Sequence, residues 1–165
     1  MAQNESIILW DTFQKVRDLT KWYFSLLKEV DGRQEWEVNG EKLNSPLWMA
    51  SHLVWAENFL TIVGTGGEGL DLAWLDHYRL GGDGSIHDEK HDMRTALEAL
   101  KQVHEKAAMH VASLSDEKLD APNALGFGFG GLKTNRILIQ HAVRHEAMHT
   151  GHLSWLCKIN KVKTV

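Results

Sequence analysis

The sequence predicts an all-α fold in which long amphipathic helices pack into a small bundle. Apolar residues recur at three- and four-residue spacings through four long segments, which is the period of a helix with one buried face. The chain has only two prolines, Pro46 and Pro122, and both lie at edges of these segments. Because proline breaks helix interiors, this placement favours uninterrupted helices.

Local signals bound the first two helices. Asn4 can cap a helix over residues 5–30 through its side-chain oxygen. A second helix is expected to open at Ser45-Pro46, since a capping side chain followed by proline in the first helical position is a typical start. The glycines from Gly64 onward should end it.

Glycine-rich loops precede the two later helices. We expect a third helix over residues 87–114, one further short turn at residues 115–119, and a fourth helix over residues 134–160. The loop over residues 64–84 has room for one helical turn. Long loops of compact domains often carry function, so this loop and residues 121–131 are candidate pocket walls, by analogy only.

Length and composition fit one globular domain over residues 1–165. The net charge is -4 with scattered basic residues, whereas a nucleic-acid surface needs clustered positive charge, so no nucleic-acid partner is expected. No run of about 18 apolar residues indicates a membrane span. The single cysteine, Cys157, and an N-terminus without a secretory pattern favour a cytoplasmic location.

Histidine is unusually frequent, with 10 residues beside 7 tryptophans. At about 100° per residue, four histidines of the fourth helix fall within roughly 40° of one direction. They are His141, His145, His149 and His152. Leu138 and Met148 are expected on the same face. The four imidazoles are therefore expected to face the core.

His52 presents a similar conflict between residue type and location on the second helix. It lies in an apolar stripe with Trp48, Met49, Trp55 and Phe59. A charged imidazolium is costly in such surroundings, whereas a neutral imidazole bound to a metal is not. His52 is therefore a candidate ligand.

Metal chemistry explains the spacing of these residues. Two imidazoles at positions i and i+4 of one helix, here His145 and His149, can both reach one ion at about 2.0–2.1 Å. A third ligand must come from another segment, and His52 is the only histidine on the second helix. The sequence predicts a divalent transition metal on His52, His145 and His149. Three neutral imidazoles with an open coordination position favour Zn²⁺ or Ni²⁺.

Other histidines and Glu146 receive less specific interpretations. We expect His104 and His110 to be hydrogen-bonded core residues, and His141 and His152 to have structural or supporting roles rather than direct ligation. Glu146 is expected to be solvated, although contact with a metal-bound water stays an alternative.

The string from His145 to His149 also satisfies the H-E-x-x-H pattern of zinc proteases. No glutamate follows Glu146 to serve as a third ligand, and Trp155 stands where another protease class has histidine. A protease is therefore disfavoured.

Three features carry a resemblance to a known family over nearly the whole chain. They are the Ser-Pro start and His52 of the second helix, the Leu-Ser-Asp-Glu-Lys-Leu run at residues 114–119, and the His-x3-His-Glu-x2-His-x-Gly pattern beginning at His141. In these features the sequence resembles the DinB/YfiT-like superfamily. One departure is Thr150-Gly151-His152, where family members frequently have Arg-Gly-Gln.

The resemblance implies a four-helix bundle with up-down-down-up connectivity, commonly a homodimer, with one metal ligand on the second helix and two on the fourth. At matching positions these ligands are His52, His145 and His149. It also implies a metal-dependent enzyme with a small-molecule substrate. The enzyme would be a hydrolase, or a transferase that joins a low-molecular-weight thiol such as bacillithiol or mycothiol to an electrophile.

A non-enzymatic bundle with a structural metal, or an interaction domain, is the alternative class. A structural zinc site is usually closed by a fourth protein ligand, for which His141 or His152 are conceivable donors. Three protein ligands with one open position instead favour catalysis.

Overall fold

The structure is a computed structural model that describes residues 4–82, 84 and 90–164. Helices dominate it, and they are α1 (Glu5–Leu26), α2 (Pro46–Glu57), α3 (Met93–Ala112), α4 (Asp116–Asp120) and α5 (Asn135–Ile159). A two-stranded sheet joins β1 (Trp36–Val38) to β2 (Glu41–Leu43). The predicted all-α class is confirmed, and the short sheet is an addition to it.

Side-chain caps explain where the helices begin. The side chains of Asn4, Ser45, Asp92, Ser115 and Thr134 each accept a hydrogen bond from a backbone N–H in the first turn of the helix that follows. Each cap satisfies one of the N–H groups that a helix start leaves without an intrahelical partner. The predicted caps Asn4 and Ser45, with proline in the first turn of α2, are thereby confirmed.

Two predicted boundaries differ from the structure. Helix α1 ends at Leu26 rather than at residue 30, because Leu27, with φ -87° and ψ 7°, leaves the helical conformation. The chain continues in turns, in which the N–H of Val30 bonds the carbonyl of Leu27. The predicted start of the third helix at residue 87 lies outside the described residues. Residues 90–92 are not helical, and α3 begins at Met93 after the Asp92 cap.

Side-chain contacts between the long helices fix their relative directions. Along α1 and α5, the pairs Glu5–Arg136, Arg17–Glu146 and Thr20–Thr150 advance together, so these two helices are parallel. The end of α2 and the segment that follows it contact α3 in the same order along the chain. Glu57 bonds His104 and Thr65 bonds His110, so α2 and α3 are also parallel.

The two parallel pairs run in opposite directions. On α1, Gln14 contacts His104 of α3, and the later residue Arg17 contacts the earlier residue Leu100. Helix α1 is therefore antiparallel to α3, and the order is up-down-down-up, as the family resemblance implied. The α1–α5 and α2–α3 faces are the most extensively packed, and α5 contacts the π-helical and 3₁₀ continuation of α2 more than it contacts α2 itself.

Helix α2 continues past Glu57 in two non-α segments. A π-helical turn covers Asn58–Ile62 and a 3₁₀ turn covers Val63–Thr65. Gly66, with φ 89°, ends the segment in a left-handed conformation that glycine adopts without strain. The predicted end near Gly64 therefore holds for the helical rod as a whole, although its last two turns are not α-helical.

The β-hairpin was not predicted from the sequence. Asn39 and Gly40 form its turn with φ of 54° and 84°. Positive φ at both positions is typical of a two-residue hairpin turn and explains the Asn-Gly pair. The hairpin brings side chains next to α2 and α5, and the loop after α2 brings Tyr78 to His52. Among the described helices, none is sufficiently long and apolar to cross a membrane.

Candidate metal centre

His52 occupies a buried position on α2 with one ring nitrogen already bonded. Its side chain is 3% exposed, and Nδ1 lies 2.6 Å from the backbone oxygen of Tyr78, in the 3₁₀ turn Leu75–Tyr78. Since a carbonyl only accepts, Nδ1 donates and carries the proton. The neutral ring therefore presents the lone pair of Nε2, which is the arrangement that orients a metal-binding histidine.

His145 and His149 lie one turn apart on α5 and converge on His52. The ring centres of His52 are 5.0 Å from His145 and 4.9 Å from His149, and those of His145 and His149 are 4.6 Å apart. One potential ligand atom of each residue lies within 4.8 Å of the others. These three residues are called the histidine triad below. In the described part of the chain it is the one group of His, Cys, Asp or Glu found with this geometry.

The closest nitrogens of the triad are spaced as two ligands of one ion would be. The Nε2 atoms of His52 and His145 are 3.1 Å apart. Two nitrogens bound at about 2.0–2.1 Å, with roughly 90–110° between the bonds, lie about 2.8–3.4 Å apart. The residues therefore fit a divalent transition metal. Ligation by His52, His145 and His149 stays a prediction, whereas their meeting in space is observed.

Burial keeps the triad neutral. Burial first, and then the charges of neighbouring histidines, lower the pKa of His145 to about 4 and that of His149 to about 3. Burial also lowers the pKa of His52. Metal ligation requires the unprotonated imidazole, so all three rings are in the competent form near neutral pH.

Tryptophans hold His52 from both sides along α2. Trp48 stacks on its ring at 4.5 Å with planes 17° apart, and Trp55 lies 5.7 Å away at 22°. Both tryptophans are partly exposed. The tryptophan stripe thus orients the candidate ligand in addition to filling the core.

The expectation that Glu146 is solvated is wrong. Its side chain is 2% exposed, and both carboxylate oxygens accept hydrogen bonds from Arg17, each at 2.6 Å. Arg17 is fully buried and also bonds Glu57 at 2.8 Å. Glu146 is therefore committed to an ion pair on the α1 side of α5 and is not placed as a general base. Sequence reasoning missed Arg17 and Glu57.

The histidines outside the triad have the roles that were expected, whereas the exposed and buried faces of α5 differ in part from the prediction. His104 is buried against Glu57 at 2.7 Å, and His110 bonds Thr65 at 2.7 Å, so both are hydrogen-bonded residues outside the triad. His141 is half-buried under Phe129, with ring centres 3.8 Å apart.

His152 is exposed, with Nδ1 3.4 Å from Nδ1 of His149. Met148 was expected to face the core but is 54% exposed. The buried face of α5 turns instead toward Glu146 and Thr150, where α1 packs. The inward face was thus predicted correctly for His149 and wrongly for His152 and Met148.

A cavity of about 430 Å³ adjoins His152 on the hairpin side of α5. Its apolar walls are Val38, Leu43, Met49, Trp155, Leu156 and Ile159, and its polar lining is Lys42, Asn44 and His152. The hairpin, rather than either loop proposed from the sequence, forms the wall opposite α5. A larger cavity of about 630 Å³ between α1 and α3 includes none of the triad in its lining.

The two loops proposed as pocket walls have other positions. Tyr78, Gly82 and Gly84 of the first loop line a polar cavity of about 290 Å³ beside Trp48. Phe129 of the second loop covers His141. The first loop therefore lies next to the triad, through Tyr78 and Trp48, and the second lies at His141, one turn of α5 before His145.

Comparison with known proteins agrees with this architecture. A family model described as the DinB superfamily matches residues 12–153, a range that contains the whole histidine triad. No curated protein and no solved structure matches the chain.

Proposed function

Because the chain belongs to the DinB superfamily, we propose that it is an enzyme that holds one divalent metal on His52, His145 and His149 and uses it to activate a small nucleophile. The convergence of three neutral imidazoles between α2 and α5 carries this proposal. Zn²⁺ and Ni²⁺ suit such a ligand set best. A divalent ion held there would lower the pKa of a bound water or thiol.

We favour a low-molecular-weight thiol over water as the nucleophile. Water starts from a pKa near 15.7 and a thiol from about 8.5, so a thiol needs much less assistance to lose its proton. The glutamate that an H-E-x-x-H enzyme uses as its base corresponds to Glu146, which is bonded to Arg17 here. This arrangement supports a thiol S-transferase, and hydrolysis is the second candidate.

The cavity beside His152 supports an apolar electrophile as the second substrate. Six of its nine lining residues are apolar, and its volume of about 430 Å³ is in the range of small-molecule sites. His152 connects this cavity to the triad through its contact with His149. An electrophile held there would lie beside the nucleophile, with Lys42 and Asn44 available to polar groups.

A structural metal site is the alternative, and the position of His152 bears on it. Closure of the site needs a fourth protein donor. His152 is exposed and its near nitrogen faces His149 Nδ1. This contact favours a role for His152 in supporting His149 over direct ligation of the metal by His152. The family resemblance further suggests a homodimer, and the single cysteine and the N-terminal sequence favour a cytoplasmic location; both remain proposals, as does the single domain.

Metal analysis and a turnover screen test the proposed function together. Untagged protein loaded with Zn²⁺ or Ni²⁺ should retain about one equivalent per chain, and His149→Ala should lose it. His110→Ala is the matched control, because it removes a half-buried histidine outside the triad.

Loaded protein is then assayed with bacillithiol, mycothiol, glutathione and coenzyme A against a panel of apolar electrophiles, beside ester and amide substrates. Thiol-dependent turnover that disappears in His149→Ala supports the transferase. Turnover of esters or amides without thiol supports the hydrolase instead. Retention of metal by His149→Ala contradicts the triad itself.

A further inference from the structure

A buried ionic network joins the two helices that carry the histidine triad. It consists of Arg17, Glu57, Glu146 and His104, and is called the Arg17 network below. The Arg17 guanidinium bonds Glu146 twice at 2.6 Å, Glu57 at 2.8 Å and the backbone oxygen of Leu100 at 3.1 Å. His104 Nδ1 lies 2.7 Å from the other oxygen of Glu57. The three charged residues are at most 2% exposed.

The carboxylates of the network stand close in sequence to the triad. Glu146 lies between His145 and His149 on α5, and Glu57 follows His52 by five residues on α2. Within Pro46–Glu57, the part of the rod that carries His52, direct packing on α5 is slight, and the closer contact with α5 is made by the continuation after Glu57. Arg17, on α1, therefore connects the two ligand-bearing helices through one carboxylate on each of them.

Ligand geometry is sensitive to the rotation of α5. An imidazole nitrogen lies about 6–7 Å from its helix axis, so a rotation of roughly 10° moves it by about 1 Å. Metal–ligand distances tolerate only about 0.2 Å. The double hydrogen bond from Arg17 to Glu146 opposes this rotation, because the planar guanidinium fixes both oxygens of the carboxylate.

Stability alone does not account for such a network. Buried ion pairs are often no more stabilising than apolar residues of similar size, because the desolvation of the charges offsets their attraction. A directional network does, however, specify one arrangement of the helices that contribute to it. In this protein the arrangement specified is the one that brings His145 and His149 to His52.

We propose that Arg17 is a positioning residue for the metal centre, which sets the rotation of α5 and its spacing from α2 through Glu146 and Glu57. This inference rests on the metal-binding part of the proposed function and assigns Arg17 no contact with substrate. It holds whichever nucleophile the metal activates.

Cobalt binding provides the test, because the Co²⁺ absorption spectrum reports coordination geometry as well as affinity. Two variants are compared with wild-type protein: Glu146→Gln, which leaves the Arg17–Glu57 pair, and the charge-free triple variant Arg17→Met/Glu57→Gln/Glu146→Met. The matched control is Arg136→Met. Arg136 also bridges helices, through Glu5 and Asp120, but lies nine residues before His145, or about 13 Å along α5.

We expect the triple variant to raise the Co²⁺ dissociation constant at least tenfold and to change the visible spectrum, and Glu146→Gln to raise the constant about threefold. Arg136→Met should stay within twofold of wild type. Thermal unfolding of the metal-free proteins shows separately which variants are folded. If the triple variant does not fold, Glu146→Gln alone decides the matter.

Two results overturn the inference and are distinguishable. Wild-type affinity and spectrum in a folded triple variant, or in Glu146→Gln when the triple variant is unfolded, refute positioning by Arg17 while leaving the metal centre intact. Failure of wild-type protein to bind Co²⁺, Zn²⁺ or Ni²⁺ refutes the metal centre and the positioning role together.

Discussion

Replacement of Arg17 by methionine alone should destabilise the protein strongly, even in the absence of metal. The side chain is fully buried and bonds two carboxylates that are themselves at most 2% exposed. Burial alone would lower the pKa of the Arg17 guanidinium, but Glu57 and Glu146 raise it above its usual value. The arginine therefore stays charged near neutral pH, and its loss leaves two buried carboxylates without their cation.

The expected loss follows from this geometry. Removal of one partner from a buried ionic group costs about 3–5 kcal/mol, because an uncompensated charge remains in the interior. For a chain of this size each kcal/mol lowers the melting temperature by roughly 2–4 °C, so the shift should be about 6–20 °C. Glu57 keeps its bond to His104, which favours the lower half of this range.

Thermal and urea unfolding of metal-free protein measure the effect. The triple variant Arg17→Met/Glu57→Gln/Glu146→Met, which removes the charges together, should recover at least half of the lost stability. Arg136→Met, at a partly exposed site, should cost no more than about 1 kcal/mol.

The reasoning is refuted if Arg17→Met unfolds within about 1 kcal/mol of wild type. It is equally refuted if the triple variant is less stable than the single one, since neutral side chains would then be worse than unpaired buried charges.

The remaining predictions concern acid, the backbone and the cavity. The folded protein holds the pKa of His145 near 4 and that of His149 near 3, below the unfolded value of about 6.5. The free energy of unfolding of metal-free protein, measured in urea titrations, should therefore decrease as the pH falls from about 6.5 through 4. A free energy of unfolding that stays constant over this range contradicts the prediction. In the same denaturation assay, Gly40→Ala should lower the free energy of unfolding by about 1 kcal/mol, because Gly40 has a φ of 84°. Gly151→Ala should raise the free energy of unfolding by about 0.5–1 kcal/mol, because Gly151 lies in the exposed interior of α5 with open space around it. Trp155→Ala, which removes a 64% exposed cavity wall, should raise KM for an apolar electrophile several-fold without changing metal content; an unchanged KM would exclude this cavity as the electrophile site.

Local signals made much of this fold predictable. Caps such as Asn4 and Ser45 act within one helical turn, so the starts of α1 and α2 could be read directly from the sequence. The convergence of His52 with His145 and His149 was also accessible, because imidazoles on apolar helix faces need a partner in the interior. The Asn39-Gly40 pair indicated the hairpin, but its short strands carry little periodic signal.

The Arg17 network was not predictable in the same way. Arg17 shares a face of α1 with the buried residues Phe13, Thr20 and Phe24, which was a sign that it could be buried. Its partner Glu146, however, is 129 positions away, and no local rule specifies which face of α5 packs on α1. The H-E-x-x-H pattern directed attention to Glu146 as a group near the metal, whereas packing turns it toward Arg17 on α1.

X-ray absorption at the metal edge of the zinc-loaded protein tests the central claim most directly. The account predicts one zinc per chain with three imidazole nitrogens at about 2.0–2.1 Å and a further light-atom ligand from solvent, which an added thiol replaces with sulfur at about 2.3 Å. A zinc ion enclosed by four protein ligands and insensitive to thiol would contradict the proposed catalytic role. Protein that retains no metal after loading would contradict the metal centre as a whole.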